Sequence, residues 1–253
     1  MGLETPIIQF KKVTLDYGGD DVVREIDLEA APGETKIILG PSGVGKSTIL
    51  KAILGILKPK QGEILIHGRD ISKLSERELV KVRLKMAIVF QHGALFDSMT
   101  VGENVSYRLR EHELMEEKRI PERVQSVLKF VGLEGALKLK PAQLSGGMKK
   151  RVAIARALAP DPEMFLFDEP TVGLDPINAF NIEQLILKLK ARNVTIVVVT
   201  HDVQSALRLA DRIVMLHNGS FIFEGTPEEL KQNTDKRVQA FLEPARAGLN
   251  ASE

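Results

Sequence analysis

The 253-residue sequence contains no cysteine, which excludes disulfides and thiolate-held metals and fits a cytosolic setting. It has no excess of either charge. With 35 basic against 34 acidic residues the net charge is +1, too little to draw the chain onto nucleic acid or anionic lipid. Long apolar runs are missing: the strongest, Ile196 to Val199, falls far short of the roughly 20 residues a bilayer span needs. "MGLETPIIQF" lacks a basic start followed by an apolar segment, so no signal peptide is expected. Met1-Gly2 hints at myristoylation, but Pro6 stands where that motif wants Ser or Thr. Repeats, low-complexity tracts and obvious linkers are absent too. The expectation is a protein soluble on its own that meets any membrane through a partner. What is present is ordinary globular material: 43% hydrophobic, 27% charged, mean hydropathy −0.04, enough for a substantial core.

Along the chain, residues 7–39 read as strands broken by Gly18-Gly19 and Pro32-Gly33, ending in the buried-strand pattern "TKIIL". A glycine-rich turn and the helical "KSTILKAILGIL" follow, then a short strand "GEILI". Ser75-x-x-Glu78 is a capping box opening an amphipathic helix to about Leu84, and "MAIVF" (Met86 to Phe90) reads as a buried strand. From Val101 to about Ala159 the period is helical, with new starts at Pro121 and Ser145. Two apolar strands, "MFLF" and "TIVVV", then flank a helix near 176–191, as in a parallel α/β sheet. Short strands occupy 211–223, and a charged helical tail begins near 227.

Gly40-Pro41-Ser42-Gly43-Val44-Gly45-Lys46-Ser47, followed by Thr48, fits G-x-x-x-x-G-K-[ST] between a strand and a helix. Glycines let backbone N–H groups curl around phosphate oxygens, and the helix start adds its positive dipole end. Lys46 is placed to bridge the outer phosphates and the Ser47 hydroxyl to ligate Mg²⁺. A chance glycine-rich turn is the competing reading, and the matched strand and helix disfavour it. "MFLFDE" supplies the expected companion: a buried strand ending in Asp168, an acid for the Mg²⁺ shell, with Glu169 next as a group able to deprotonate water. Two solvated carboxylates at a strand end are the plainer alternative.

Leu144-Ser145-Gly146-Gly147-Met148 places a hydroxyl and two glycines at another helix start, with Lys149, Lys150 and Arg151 just behind. One chain has little use for two cradles for one triphosphate, so a second copy packed head to tail could use this one. A Ser-capped helix with glycines for tight packing is the alternative.

"LSGGM" before "KKRVAIARAL", with the phosphate loop before it and "FLFDEPTVGLDP" after it, resembles the ATP-binding subunit of an ABC transporter over about residues 7–230. The resemblance implies a P-loop α/β fold with a mostly parallel core sheet, an N-terminal antiparallel β subdomain and an α-helical subdomain. It implies one ATPase domain over 1–230, with core at 6–90 and 160–230 and helices at 91–159, and a helical tail at 231–253. By that resemblance Ser145, Gly146, Gly147 and Met148 act on the partner protomer's ATP. Most members carry Gln where Met148 stands, and the backbone donors survive that change. Tyr17 resembles the aromatic that stacks on adenine; an ordinary half-buried strand tyrosine is the alternative. Gln91 resembles the glutamine that reaches Mg²⁺ and the attacking water, beside Ser47 and Asp168. Gly173-Leu174-Asp175 resembles the loop that crosses the dimer interface, and Asp175-Pro176 also suits a helix start. His201 resembles the histidine that contacts the γ-phosphate. ATP and Mg²⁺ are the implied substrate and metal.

"FQHGALFDSMTVGENVSYRLREH", "QLSGGMKKRVAIARALA" and "TDKRVQAFL" look like the ATPase of Mla-type transporters, which move phospholipid between membranes with an MCE-domain partner. The implied assembly is a homodimer held by permease subunits at the cytoplasmic face of the inner membrane, without nucleic acid. Polar amino-acid importers share a related pattern and are the alternative. ABC ATPases acting on DNA or ribosomes fit less well, since this chain has one cassette and no sustained heptads. The turn "QHGALFDSMT" is apolar where a loop should be polar. Leu95, Phe96 and Met99 are expected to line a groove for a permease helix, or else to pack under the helix starting at Val101.

Overall fold

The computed structural model describes residues 5–250. They divide into two compact units, one holding the chain up to Arg83 and from Lys190 onward, the other Leu84–Leu189.

The first unit opens with β1 (Ile8–Leu15) and β2 (Val23–Ala30), antiparallel from Ile8 opposite Ala30 to Leu15 opposite Val23. Burial in β2 alternates at Ile26, Leu28 and Ala30, the period of a sheet covered on one face. β3 (Thr35–Leu39) is buried at every position, as a strand covered on both faces should be. The phosphate loop follows and leads into α1 (Lys46–Ile53), which buries Ile49, Leu50, Ala52 and Ile53. β4 (Gln61–Ile66) and β5 (Arg69–Asp70) complete an antiparallel sheet of order β2-β1-β4-β5. At the start of α2 (Glu76–Leu84) the Glu78 carboxylate accepts from Ser75 N and Oγ at 3.0 and 2.8 Å. Those bonds, with Arg69 beside it, hold Glu78 down to about 2.

In the second unit β6 (Met86–Val89) stops one residue before the sequence suggests. The Phe90 carbonyl accepts from Gly93 N and closes a turn, leaving Phe90 39% exposed. α3 (Val101–Glu111), α4 (Ile120–Phe130) and α5 (Gly146–Leu158) form a helical group whose shared core includes Val105, Leu109, Val124, Leu128 and Ile154. α3 opens on a Thr100–Glu103 capping box, a spacing visible in the sequence but not singled out there. β7 (Met164–Asp168) runs parallel to β6, with Val89 opposite Phe167, and α6 (Pro176–Lys190) follows.

The chain re-enters the first unit through β8 (Thr195–Thr200), α7 (Val203–Leu209), β9 (Arg212–His217) and β10 (Ser220–Gly225). Here β3 lies between β8 and β9 and parallel to both, with β10 antiparallel at the edge. α8 (Pro227–Gln232) and α9 (Lys236–Asn250) end the description. The class is α/β with a mostly parallel core sheet, an antiparallel N-terminal sheet and a helical group. Among the described residues no helix is long and apolar enough to cross a membrane.

Candidate functional site

Tyr17, residues 40–48 and His201 fall in the first unit; Gln91, Leu95, Phe96, Met99, 145–148, Asp168, Glu169 and 173–175 fall in the second. Each group is built by local chemistry.

Residues 40–47 leave the C-terminal end of β3, the end of a parallel strand where ligands gather in open α/β sheets. Gly43 and Gly45 adopt φ +79° and +111°, the left-handed region that opens backbone N–H groups to one side. A side chain at Gly45 would also strike Val22 Cγ1 at 2.9 Å, and one at Gly40 the Leu216 carbonyl at 2.4 Å. Lys46 is buried and its Nζ donates to the Gly40 and Pro41 carbonyls at 2.8 and 2.9 Å, which pins the ammonium to the loop. The first turn of α1 holds no acid, so nothing there repels an anion. Gly40 N donates to the Thr200 carbonyl at 3.3 Å, which ties the loop to the end of β8, one residue before exposed His201. Asp202, next in line, caps α7 by accepting from Gln204 N.

Tyr17 is not a half-buried strand tyrosine. β1 ends at Leu15, and Tyr17 stands 58% exposed beyond it. Its hydroxyl lies 3.3 Å from Thr48 Oγ1, and the Lys51 ammonium sits 5.3 Å from its ring centroid. A large aromatic face left in water beside the phosphate loop suits stacking on a flat base.

In the second unit Asp168 ends β7 half-buried, and Glu169 is buried with φ +46°. A non-glycine residue held there costs of order 1–3 kcal/mol and persists only where its surroundings fix it. Gln91 and Glu169 each lie two residues past the last registered pair of β6 and β7, so they leave the same end of parallel strands.

Ser145 caps α5, its Oγ accepting from Met148 N at 3.2 Å, and Ser145 and Gly146 are exposed. Neither Gly146 nor Gly147 has positive φ; a side chain at Gly147 would strike Asn178 Oδ1 at 2.3 Å. Asn178 Nδ2 in turn donates to Asp175 at 2.6 Å, and Asp175 accepts from Ile177 N and Asn178 N, capping α6. The segment 173–175 and the 145–148 turn are therefore neighbours. The three cations behind that turn do not act together. Lys150 turns inward and donates to the Glu169 carbonyl at 3.2 Å. Its helix phase was the available signal: it lies three residues after buried Gly147 and four before buried Ile154.

The apolar turn after Gln91 is held from two sides. Asn104, fully buried, accepts from Phe96 N and donates to the Phe96, Met99 and Thr100 carbonyls. Arg156 donates to the Gly93 and Ala94 carbonyls at 2.8 and 2.7 Å and lies 5.8 Å from the Phe96 ring centroid. Phe96 meets Tyr107 at 4.7 Å yet stays 40% exposed, while Leu95 and Met99 are half-buried. It both packs on α3 and presents a face outward. Sequence reasoning missed Asn104 and Arg156.

Among the described residues no three His, Cys, Asp or Glu side chains form a metal cage. Mg²⁺ commonly takes only one or two protein oxygens and draws its other ligands from water and phosphate. The Ser47 hydroxyl at the start of α1 and the Asp168 carboxylate at the end of β7 are each the kind of hard oxygen such an ion takes.

Fold and site together define a P-loop ATPase. The chain belongs to the ABC transporter family, whose profile matches residues 23–172. It is 45% identical to the intermembrane phospholipid transport system ATP-binding protein MlaF of Haemophilus influenzae, over 93% of this chain and 90% of that one. It is 40% identical to the probable ribonucleotide transport ATP-binding protein mkl of Mycobacterium leprae, over 95% of this chain and 70% of that protein. Among solved structures it is similar to the dimeric, post-hydrolysis ATP-binding cassette MJ0796 bound to ADP and Pi. The TM-score is 0.80 at 37% identity, covering 87% of this chain and 98% of that one.

Proposed function

We propose that this chain is the ATP-hydrolysing subunit of a phospholipid transporter. It works as a homodimer at the cytoplasmic face of the inner membrane, held there by permease subunits and served by an MCE-domain lipid-binding subunit. The observation that carries this reading is the 45% identity to an MlaF protein across 93% of the chain.

The residues divide the work. Lys46 and backbone N–H groups of residues 42–47 hold the outer phosphates, and Tyr17 and Thr48 lie beside the loop to receive the nucleoside. Ser47, Gln91 and Asp168 are the residues that would hold Mg²⁺, which would supply charge neutralisation to the phosphoryl group. Glu169 takes a proton from the attacking water, and His201 donates to the γ-phosphate. Ser145 of the partner subunit supplies a further donor; in each chain this residue caps its own helix and stays exposed. Positioning and charge carry the reaction, with no covalent intermediate.

The test is purification of the tagged chain from native membranes in mild detergent. An integral permease and an MCE-domain protein should accompany it, and ATP turnover should rise with phospholipid but not with ribonucleotides or amino acids. Recovery of ribosomes or DNA complexes instead would sink the transporter reading. Phe96→Asp should lose the permease and keep ATP affinity; intact assembly would return Phe96 to a purely packing role.

A further inference from the structure

The helix that Ser145 opens also reaches the acids of its own chain. Lys150 is 5% exposed on the inward face of α5, a position where an ammonium loses its water and must be held by protein atoms. Its Nζ donates to the Glu169 main-chain carbonyl at 3.2 Å. Burial pulls the ammonium down to about 8, and the charges of Asp168 and Glu169 act the other way. Glu169 is the residue whose backbone needs such a hold, because it sits at φ +46° without being glycine. Neither Lys149 nor Arg151 makes this contact; Arg151 turns instead toward the Gly132 carbonyl.

We propose that Lys150 is a positioning residue for the general base: its ammonium fixes the Glu169 backbone in the left-handed turn that aims the carboxylate. The same contact ties each protomer's Ser145 helix, which serves the ATP of the other protomer, to the base that serves its own. This rests on the ATPase reading and on Glu169 as base.

The full-length protein is compared as wild type, Lys150→Met, Lys150→Gln and Glu169→Gln. Three quantities are measured: steady-state ATP turnover, affinity for a fluorescent ATP analogue, and melting temperature. Lys150→Met fills the same space without a donor and should lower kcat about tenfold to a hundredfold, with KM and analogue affinity within about threefold of wild type. Lys150→Gln keeps a donor and should recover kcat to within about threefold. If Lys150→Met does not fold, Lys150→Leu replaces it under the same criteria. A donorless variant with wild-type kcat overturns the proposal. So does a loss in which kcat, affinity and melting temperature fall together in the Met and Gln variants alike. A wild-type protein without ATPase activity, or Glu169→Gln at full turnover, fails one step earlier: it removes the ATPase reading or the base, and the Lys150 role with it.

Discussion

Two glycine-rich turns open two helices in this chain, and they use glycine for different reasons. In the 40–47 turn Gly43 and Gly45 are demanded by conformation, since both stand at positive φ, and the loop is already closed around Lys46. In the 145–148 turn the glycines have ordinary helical backbone, and Gly147 is demanded by space, because Asn178 fills the place of its side chain. The first turn is closed on its own lysine within one chain. The second is a plain Ser-capped helix start with an exposed edge at Ser145 and Gly146. A glycine pair before a helix is therefore not one signal, and only its dihedrals and neighbours separate a nest from a packing seam.

The largest expected effect is on turnover. If the first turn binds and the second unit's acid acts, Glu169→Gln should lower ATP turnover by about 10²–10⁴ while nucleotide affinity stays within a few-fold. Steady-state hydrolysis and analogue binding check this, and dimers should accumulate with ATP on size exclusion. Full turnover would remove Glu169 as base. Lys46→Ala should do the converse. Losing charge-assisted bonds of about 1.5–3 kcal/mol weakens nucleotide binding about tenfold to a hundredfold. Unchanged affinity would deny the cradle its lysine.

Local features were legible in the sequence. The phosphate loop is contiguous, so spacing alone placed Lys46 and Ser47, and the buried strands β3, β7 and β8 announced themselves by unbroken apolar runs. What was not legible depends on partners far along the chain. Arg156 holds carbonyls 62 and 63 residues away, and no pattern around it points there. The exposure of Tyr17 turned on where β1 stops, and strand ends are poorly marked by composition. Lys150 looked like one of three equivalent cations until helix phase set it on the buried face.

Crowding at the second turn gives the next effect. Gly147→Ala puts a methyl where Asn178 Oδ1 now sits, and Asn178 cannot retreat without loosening its 2.6 Å bond to Asp175. The expected cost is about 1–3 kcal/mol, or very roughly 2–10 °C in melting temperature for a chain of this size. Adding Asn178→Ala should restore most of that loss. If the double variant stays as unstable as the single one, the crowding argument fails.

The smallest effect separates the two kinds of glycine most cleanly. Gly43→Ala meets no atom within 4 Å but must hold φ +79°, so it should cost about 1–2 kcal/mol in the nucleotide-free protein through the backbone alone. Gly146→Ala has ordinary backbone, and its methyl would lie 3.7 Å from Leu174 Cδ2, an ordinary contact. It should be neutral or gain about 0.4–1 kcal/mol by restricting the unfolded chain. Yet Gly146 is exposed at the helix start, where an added methyl stands between the backbone donors and an approaching phosphate. Thermal melting of the apo proteins should therefore rank Gly43→Ala below Gly146→Ala, while ATP-driven dimerisation should fall in Gly146→Ala despite its intact fold. Equal melting temperatures would mean that conformation does not distinguish the two turns. Undiminished dimerisation would mean that the second turn meets no phosphate at all.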